Sequence, residues 1–346
     1  MYSGFSRMKD WCPAEPCIVC VDAHTEGEPL RVIVSGFPPL SGATILERRR
    51  ELLDHHDTLR TMLMWEPRGH ADMYGCLVTP PVTSEADFGV LFMHNEGYST
   101  MCGHGIIAVT KVALETGLLP ISAPSTCVRI DTPAGLVTAF AEVRDNKVQS
   151  VRFRNVPSFA YALNRSISIP GLGKISYDIA FGGAFYAYVQ ASNVAIACTP
   201  DHFADLVRTG KIIKHAIMAT ETITHPFEPD LGFLYGVIFT GPGHLQGSHS
   251  RNVCVFAEGE VDRSPTGTGV SGRAALLYAR GEIALNQTIT IESIIGSHFT
   301  VRAAETITFG PHVAIIPEVE GRAFITGRHT FWQDPMDPFK DGFILR

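Results

Sequence analysis

Two short stretches set 164 positions apart constrain this chain more than any other feature. The first is Met101-Cys102-Gly103-His104-Gly105-Ile106, and the second is Pro265-Thr266-Gly267-Thr268-Gly269-Val270. Each is a cysteine or threonine, then Gly-x-Gly, then a β-branched residue and an apolar run. The same offset carries Gly103 onto Gly267, Gly105 onto Gly269 and Gly117 onto Gly281. Each stretch therefore reads as one helix, opened by a glycine turn and stopped by a C-terminal glycine. The first runs from Cys102 to about Thr116, the second from Gly267 to Arg280. Two matched helix starts so far apart predict a duplicated unit with a site shared between the copies.

The chemistry of such a pair follows from the helix ends. A helix N-terminus leaves backbone N–H groups unpaired and carries partial positive charge. Glycines there let an anion approach the amides closely. A cysteine at such a start is expected to have its thiolate stabilised and its pKa lowered toward neutral. Two starts facing each other would hold a small carboxylate, with Cys102 on one side of the ligand and Thr266 on the other. That arrangement suits chemistry at the carbon next to a carboxylate.

Length and composition narrow the class. The 346 residues, 45% hydrophobic and 18% charged, read as a soluble two-domain globular chain. The net charge of −7, with no basic patch interleaved with aromatics, argues against nucleic acid. Arg48-Arg49-Arg50 lies among Glu47, Glu51 and Asp54 and reads as a solvated helix face. No apolar stretch is long enough to span a bilayer, and Met1 to Pro16 lacks the apolar core of a signal peptide. The eight scattered cysteines then read as reduced thiols of a cytoplasmic protein. Cys12, Cys17 and Cys20 cluster, but no matching Cys or His pair follows at zinc spacing. His244 and His249 likewise lack a third ligand, so no metal site is expected.

Along the chain, residues 1–16 read as a loose extension. Short strands follow at Cys17 to Asp22 and Leu30 to Val34, and Ala43 to Met64 carries helical spacing. More strand-like runs, among them Met73 to Thr79 and Phe88 to His94, lead to the first helix start. Pro157 marks a plausible boundary between halves. The second half repeats the pattern of short strands around a buried helix. Gly241-Pro242-Gly243 is not a phosphate loop, because no Lys-Ser/Thr pair follows.

Several segments together resemble the proline racemase family. They are Asp22-Ala23-His24-Thr25-Glu26-Gly27-Glu28-Pro29, Glu66-Pro67-Arg68-Gly69-His70, His94-Asn95-Glu96-Gly97-Tyr98, Met101 to Gly105, Ser250-Arg251-Asn252-Val253 and Asp262 to Gly269. The resemblance runs from about Cys17 to the C-terminus. It implies an α+β fold similar to diaminopimelate epimerase, with two pseudo-symmetric halves, each a curled mixed sheet around a central helix. The halves would be 17–157, carrying Cys102, and 158–329, carrying Thr266, with the segment about 330–346 returning to the first. It also implies a homodimer, a small imino-acid substrate, and neither a metal nor an organic cofactor.

The resemblance also assigns roles. Cys102 and Thr266 take the two catalytic positions, and Gly103, His104, Asp262, Gly267 and Thr268 bind substrate. Racemases and 4-hydroxyproline epimerases of the family carry cysteine at both helix starts; here the second is Thr266. A threonine hydroxyl cannot match a thiol as an acid–base group. The Cys/Thr pairing is similar to that of the trans-3-hydroxy-L-proline dehydratase branch, which implies loss of water giving Δ2-pyrroline-2-carboxylate. Ala184 departs from the asparagine many relatives carry after the glycines matching Gly182-Gly183, which removes a side-chain polar contact there. The alternatives are a proline racemase or 4-hydroxyproline epimerase, and a non-catalytic imino-acid binding protein. Plainer readings stand beside the functional ones: Cys102 as a buried small apolar residue, Thr266 as an N-cap, Asp262 as a turn residue, and the His24-Thr25 turn as mainly structural.

Overall fold

The computed structural model describes residues 17–345; the expected extension at 1–16 and the first of the clustered cysteines, Cys12, lie outside them. Cys20, Cys76, Cys102, Cys127, Cys198 and Cys254 are free thiols. Five helices thread the described residues: α1 (Ile45–His55), α2 (Asp57–Met64), α3 (Gly103–Glu115), α4 (Phe203–Thr220) and α5 (Gly267–Ala279). The helical stretch expected over 43–64 is thus broken at His56, which ends α1 and begins α2. Thr44 and Glu47 close a capping box that fixes the start of α1.

Strands repeat one order on both sides of the chain. In the first half, 17–25 pairs antiparallel with 28–35 through the Glu26-Gly27 turn, both residues at positive φ as a tight hairpin requires. Strand 28–35 then runs parallel to 74–79, with α1 and α2 in the crossover. Strand 88–94 follows antiparallel, then a parallel partner at 125–132 reached through α3, then the hairpin strands 135–144 and 147–154. The second half repeats this. Strands 173–181 and 185–190 are antiparallel, 185–190 is parallel to 234–241 across α4, and 250–256 is parallel to 288–292 across α5. Strands 298–309 and 312–321 complete the run. Helix α3 and α5 sit inside their curled sheets and are buried along nearly their whole length, Lys111 and Arg273 included. This is an α+β, diaminopimelate epimerase-like fold of two pseudo-symmetric halves.

One strand breaks the sequence order. In the second half 158–169 flanks 173–181. The equivalent place beside 17–25 is taken by 323–332, which comes from the far end of the chain. The crossing falls at Gly321–Ala323, ahead of the boundary near 330 read from the sequence, and Phe343 then bridges Glu66. No helix among the described residues is long and apolar enough to cross a membrane.

Side-chain contacts narrow one expectation. Of the Arg48-Arg49-Arg50 run only Arg50 is solvated; Arg48 and Arg49 are half-buried. Arg48 donates to the Gly42 and Pro80 carbonyls, Arg49 donates to the Tyr98 carbonyl, and Arg50 pairs with Asp230 at 2.8 Å. Arg50 thus reaches the loop at 228–231 of the other half, a partner invisible to spacing along the helix.

Candidate active site

The two helix starts meet back to back. A Cβ built on Gly103 would lie 2.4 Å from the Cα of Gly267, and one on Gly267 would lie 2.4 Å from the Cα of Gly103. Only glycine permits this approach at either position. Both helices are 13 residues long, and both are followed by a positive-φ glycine, Gly117 and Gly281. The amide-rich ends of α3 and α5 therefore point into one place, as the duplicated spacing requires.

Cys102 is the N-cap of α3. Its Sγ accepts from the Gly105 N–H at 3.1 Å and lies 3.2 Å from His104 Nδ1. Thr266 stands at the matching position of α5 but is not a copy: its φ is +70° where that of Cys102 is −144°. A β-branched residue in that region is strained, and such strain collects at functional sites. The N-cap reading of Thr266 fails on its side chain. The hydroxyl makes no capping bond and no hydrogen bond of ordinary geometry, although it sits close enough to Asp262 to help hold that carboxyl down. A buried hydroxyl so placed is free to meet a ligand between the helices.

The expectation of a low-pKa thiol is overturned. Burial pushes the Cys102 thiol well above its ordinary value; the Gly105 amide pulls it down, and the nearby Asp262 and Glu28 carboxylates push it further up. Desolvation outweighs the helix start because Cys102 is only 4% exposed. Burial also lowers His104 to about 3, helped by the Arg263 charge, so its ring is neutral. Asp262 is raised by burial to about 6, although the Ser264 N–H donates to it at 2.8 Å. His104 Nδ1 and Asp262 Oδ2 are 3.9 Å apart.

All seven site residues read from the sequence come together here: Cys102, Gly103, His104, Asp262, Thr266, Gly267 and Thr268 line one cleft. The cleft is closed down to about 20 Å³, room for a water molecule and not for a ring. A larger cavity of about 580 Å³ lies against the C-terminal half of α3, lined by Val109, Val112 and other valines. Its lining holds no cysteine, histidine or carboxylate, whereas the smaller cleft brings together a thiol, an imidazole and a carboxyl.

Other groups of the site escaped the sequence reading. Tyr74, Tyr186, Tyr235 and Phe256 wall the cleft from four strands or their edges. Tyr74 packs edge-on against His104 at 4.7 Å, and the Tyr186 hydroxyl meets that of Thr268 at 2.8 Å. Glu28 is fully buried, accepts from the Arg263 N–H at 2.7 Å and pairs with its Nε at 3.0 Å, tying the halves beside Asp262. Both residues stood in quoted motif segments, which was their only signal. The Thr25 hydroxyl donates to the His104 carbonyl at 2.8 Å, so the turn it belongs to supports the first helix start. The Gly182-Gly183 loop makes its polar contacts with backbone: the Gly182 carbonyl accepts from Asn155 and the Gly183 carbonyl from Thr100.

The family profile described as Proline racemase matches residues 20–344. The chain belongs to the proline racemase family. Among relatives, it is 50% identical over 326 residues to a trans-3-hydroxy-L-proline dehydratase of Colwellia psychrerythraea, covering 94% of this chain and 92% of the other. It is 45% identical over 334 residues to a trans-L-3-hydroxyproline dehydratase of Xenopus tropicalis, covering 96% of each. Among solved structures, a hydroxyproline epimerase from Agrobacterium vitis with bound trans-4-hydroxy-L-proline superposes with a TM-score of 0.90 at 33% identity, covering 96% of this chain and 97% of that one. Within the proline racemase family, therefore, this fold accompanies proteins named for elimination and for epimerisation.

Proposed function

We propose that this protein is a trans-3-hydroxy-L-proline dehydratase, a hydro-lyase working without a cofactor. The observation that carries the reading is the pair across the abutting helix starts: one thiol, Cys102, opposite one hydroxyl, Thr266. The substrate carboxylate lies between the N–H groups of Gly103 and His104 and those of Gly267 and Thr268. These donors stabilise enolate-like charge as it develops. Neutral His104 and ionised Asp262 hold the ring nitrogen, and the protonated amine acidifies the α-carbon. That cation also draws down the pKa of the Cys102 thiol, which the closed protein alone holds high.

The Cys102 thiolate then takes the α-proton. The electron pair left behind forms the bond between the α-carbon and C3, and the C3–O bond breaks. In the trans-L substrate the α-hydrogen and the hydroxyl share a ring face, so the same thiol returns its proton to the leaving oxygen. Water departs, the thiolate is restored, and Δ2-pyrroline-2-carboxylate tautomerises to the Δ1 form. Thr266 contacts the opposite face and orients the ring without exchanging a proton. A cytoplasmic homodimer completes the reading, the family supporting the dimer and the six free thiols from Cys20 onward a reducing compartment.

Incubation with trans-3-hydroxy-L-proline, trans-4-hydroxy-L-proline and L-proline in deuterated water, followed by NMR, tests it. Water loss from the 3-hydroxy substrate alone, abolished in Cys102→Ser, is expected. Inversion at the α-carbon of the other two without elimination would sink the dehydratase reading.

A further inference from the structure

The duplication places a second pair of equivalent cavities away from the catalytic cleft. In the first half it is the valine-lined cavity against α3, where Val109 and Thr116 face the space. The offset of 164 carries these onto Arg273 and Arg280 of the second half, and both of those line a cavity of about 170 Å³ against α5. The same place in the fold is thus lined mainly by apolar residues in one copy, with the exposed Arg328 its one charged residue, and holds two arginines and Asp178 in the other. The remaining wall in the second half is polar, including Asn164, Ser176, Gln190 and Thr240.

The charges there do not cancel. Arg280 pairs with Asp178 through two bonds, Nη1 to Oδ2 at 2.7 Å and Nη2 to Oδ1 at 2.8 Å, and also donates to Asn164. That neutralises Asp178. Arg273 is left over. It is 8% exposed, its Nε–H is buried with no hydrogen-bond partner, and among the described residues no carboxylate lies within ion-pair distance of it. Glu282, the other acid whose field reaches it, is exposed to solvent. An arginine stays charged at any working pH, and a buried guanidinium without a partner is costly. It stands in the middle of a helix with its donors toward a polar cavity, where an oxyanion would satisfy it by paired N–H···O bonds.

We propose that the cavity formed by Arg273, Gln190 and Thr240 on the outer side of α5 binds a small oxyanion, either a carboxylate or a phosphate, separately from the catalytic cleft. The ligand is compact, because the cavity is about 170 Å³, and singly charged ligands suffice, because one guanidinium is uncompensated.

Thermal melts of the full chain in increasing sodium phosphate, sodium sulfate or sodium acetate test it, each against sodium chloride of equal ionic strength. The wild type should show a saturable rise in Tm with at least one oxyanion. Arg273→Gln should lose that rise, and Arg273→Lys should keep part of it. Thr240→Val, which leaves Arg273 in place, should weaken it. Phosphate acting alone would identify a tetrahedral ligand, and acetate acting alone a carboxylate. The helix starts, themselves an anion site, are intact in every variant, so only the part of the shift that depends on Arg273 counts. A rise no larger than that in chloride, or one undiminished in Arg273→Gln, overturns the proposal.

Discussion

Replacing Gly103 with alanine places a methyl group where the other helix start already stands. The new Cβ lies 2.4 Å from the Gly267 Cα and 2.9 Å from its carbonyl carbon, both backbone atoms that cannot rotate away. Carbon atoms rest at about 3.5–4.0 Å, so the helix starts must separate by about 1 Å or more. A displacement of about 1 Å between groups that position a substrate costs on the order of 10²-fold in rate, equivalent to about 2.7 kcal/mol. Overpacking adds a stability loss of about 1–3 kcal/mol. Helix propensity alone predicts the opposite sign, since alanine is favoured over glycine in a helix by about 1 kcal/mol. The assay is kcat/KM for water loss from trans-3-hydroxy-L-proline, alongside urea melts, for Gly103→Ala, Gly267→Ala and the control Gly97→Ala. The control's methyl meets nothing within 4 Å. Both helix-start variants should lose activity and stability together while the control changes neither. A Gly103→Ala protein that is more stable than wild type and about as active would refute the idea that close contact of the helix starts assembles the site.

Thr266→Gly relieves the strain of a β-branched residue at φ +70° and should raise stability by about 1 kcal/mol while removing the wall that orients the ring, seen as a higher Tm with a lower kcat/KM. Thr266→Cys should introduce α-proton exchange and inversion of L-proline, read by NMR in deuterated water. Arg263→Met leaves the fully buried Glu28 without its partner and should cost about 3–5 kcal/mol in urea melts. Asp262, raised from 3.8 to about 6, takes up a proton on folding, so its contribution is lost as pH rises through that window, by about 3 kcal/mol. His104, lowered from 6.5 to about 3, has the opposite sign: its contribution is lost as pH falls. The two slopes oppose each other in the wild type, so Asp262→Asn should lose stability more steeply than wild type between pH 6.5 and about 4; equal slopes would contradict the burial of Asp262.

The sequence alone determined the duplicated helix starts, their stop glycines and the residues that follow them. These demands are local. A glycine that opens a helix, or turns through positive φ after it, is legible wherever it stands, and Cys102 and Thr266 are fixed relative to it by one peptide bond; that the two opening glycines touch each other was not. The motif segments likewise carried His104, Asp262 and Thr268 into one cleft. Only the tertiary structure decided the rest. The aromatic wall comes from residues as far apart as Tyr74 and Phe256, each an ordinary apolar position in its own strand. The partner of Arg50 is Asp230, and that of Glu28 is Arg263, pairings that no spacing encodes. The place beside strand 17–25 went to 323–332, because the neighbouring strand of one half is supplied by the last strand of the chain. The thiol was misjudged for the same reason. A helix start pulls the Cys102 pKa down through one local amide, but what closes over the sulfur, and which carboxylates face it, is set by the meeting of the two halves. Backbone geometry is written into neighbouring residues, whereas desolvation depends on everything the fold brings near.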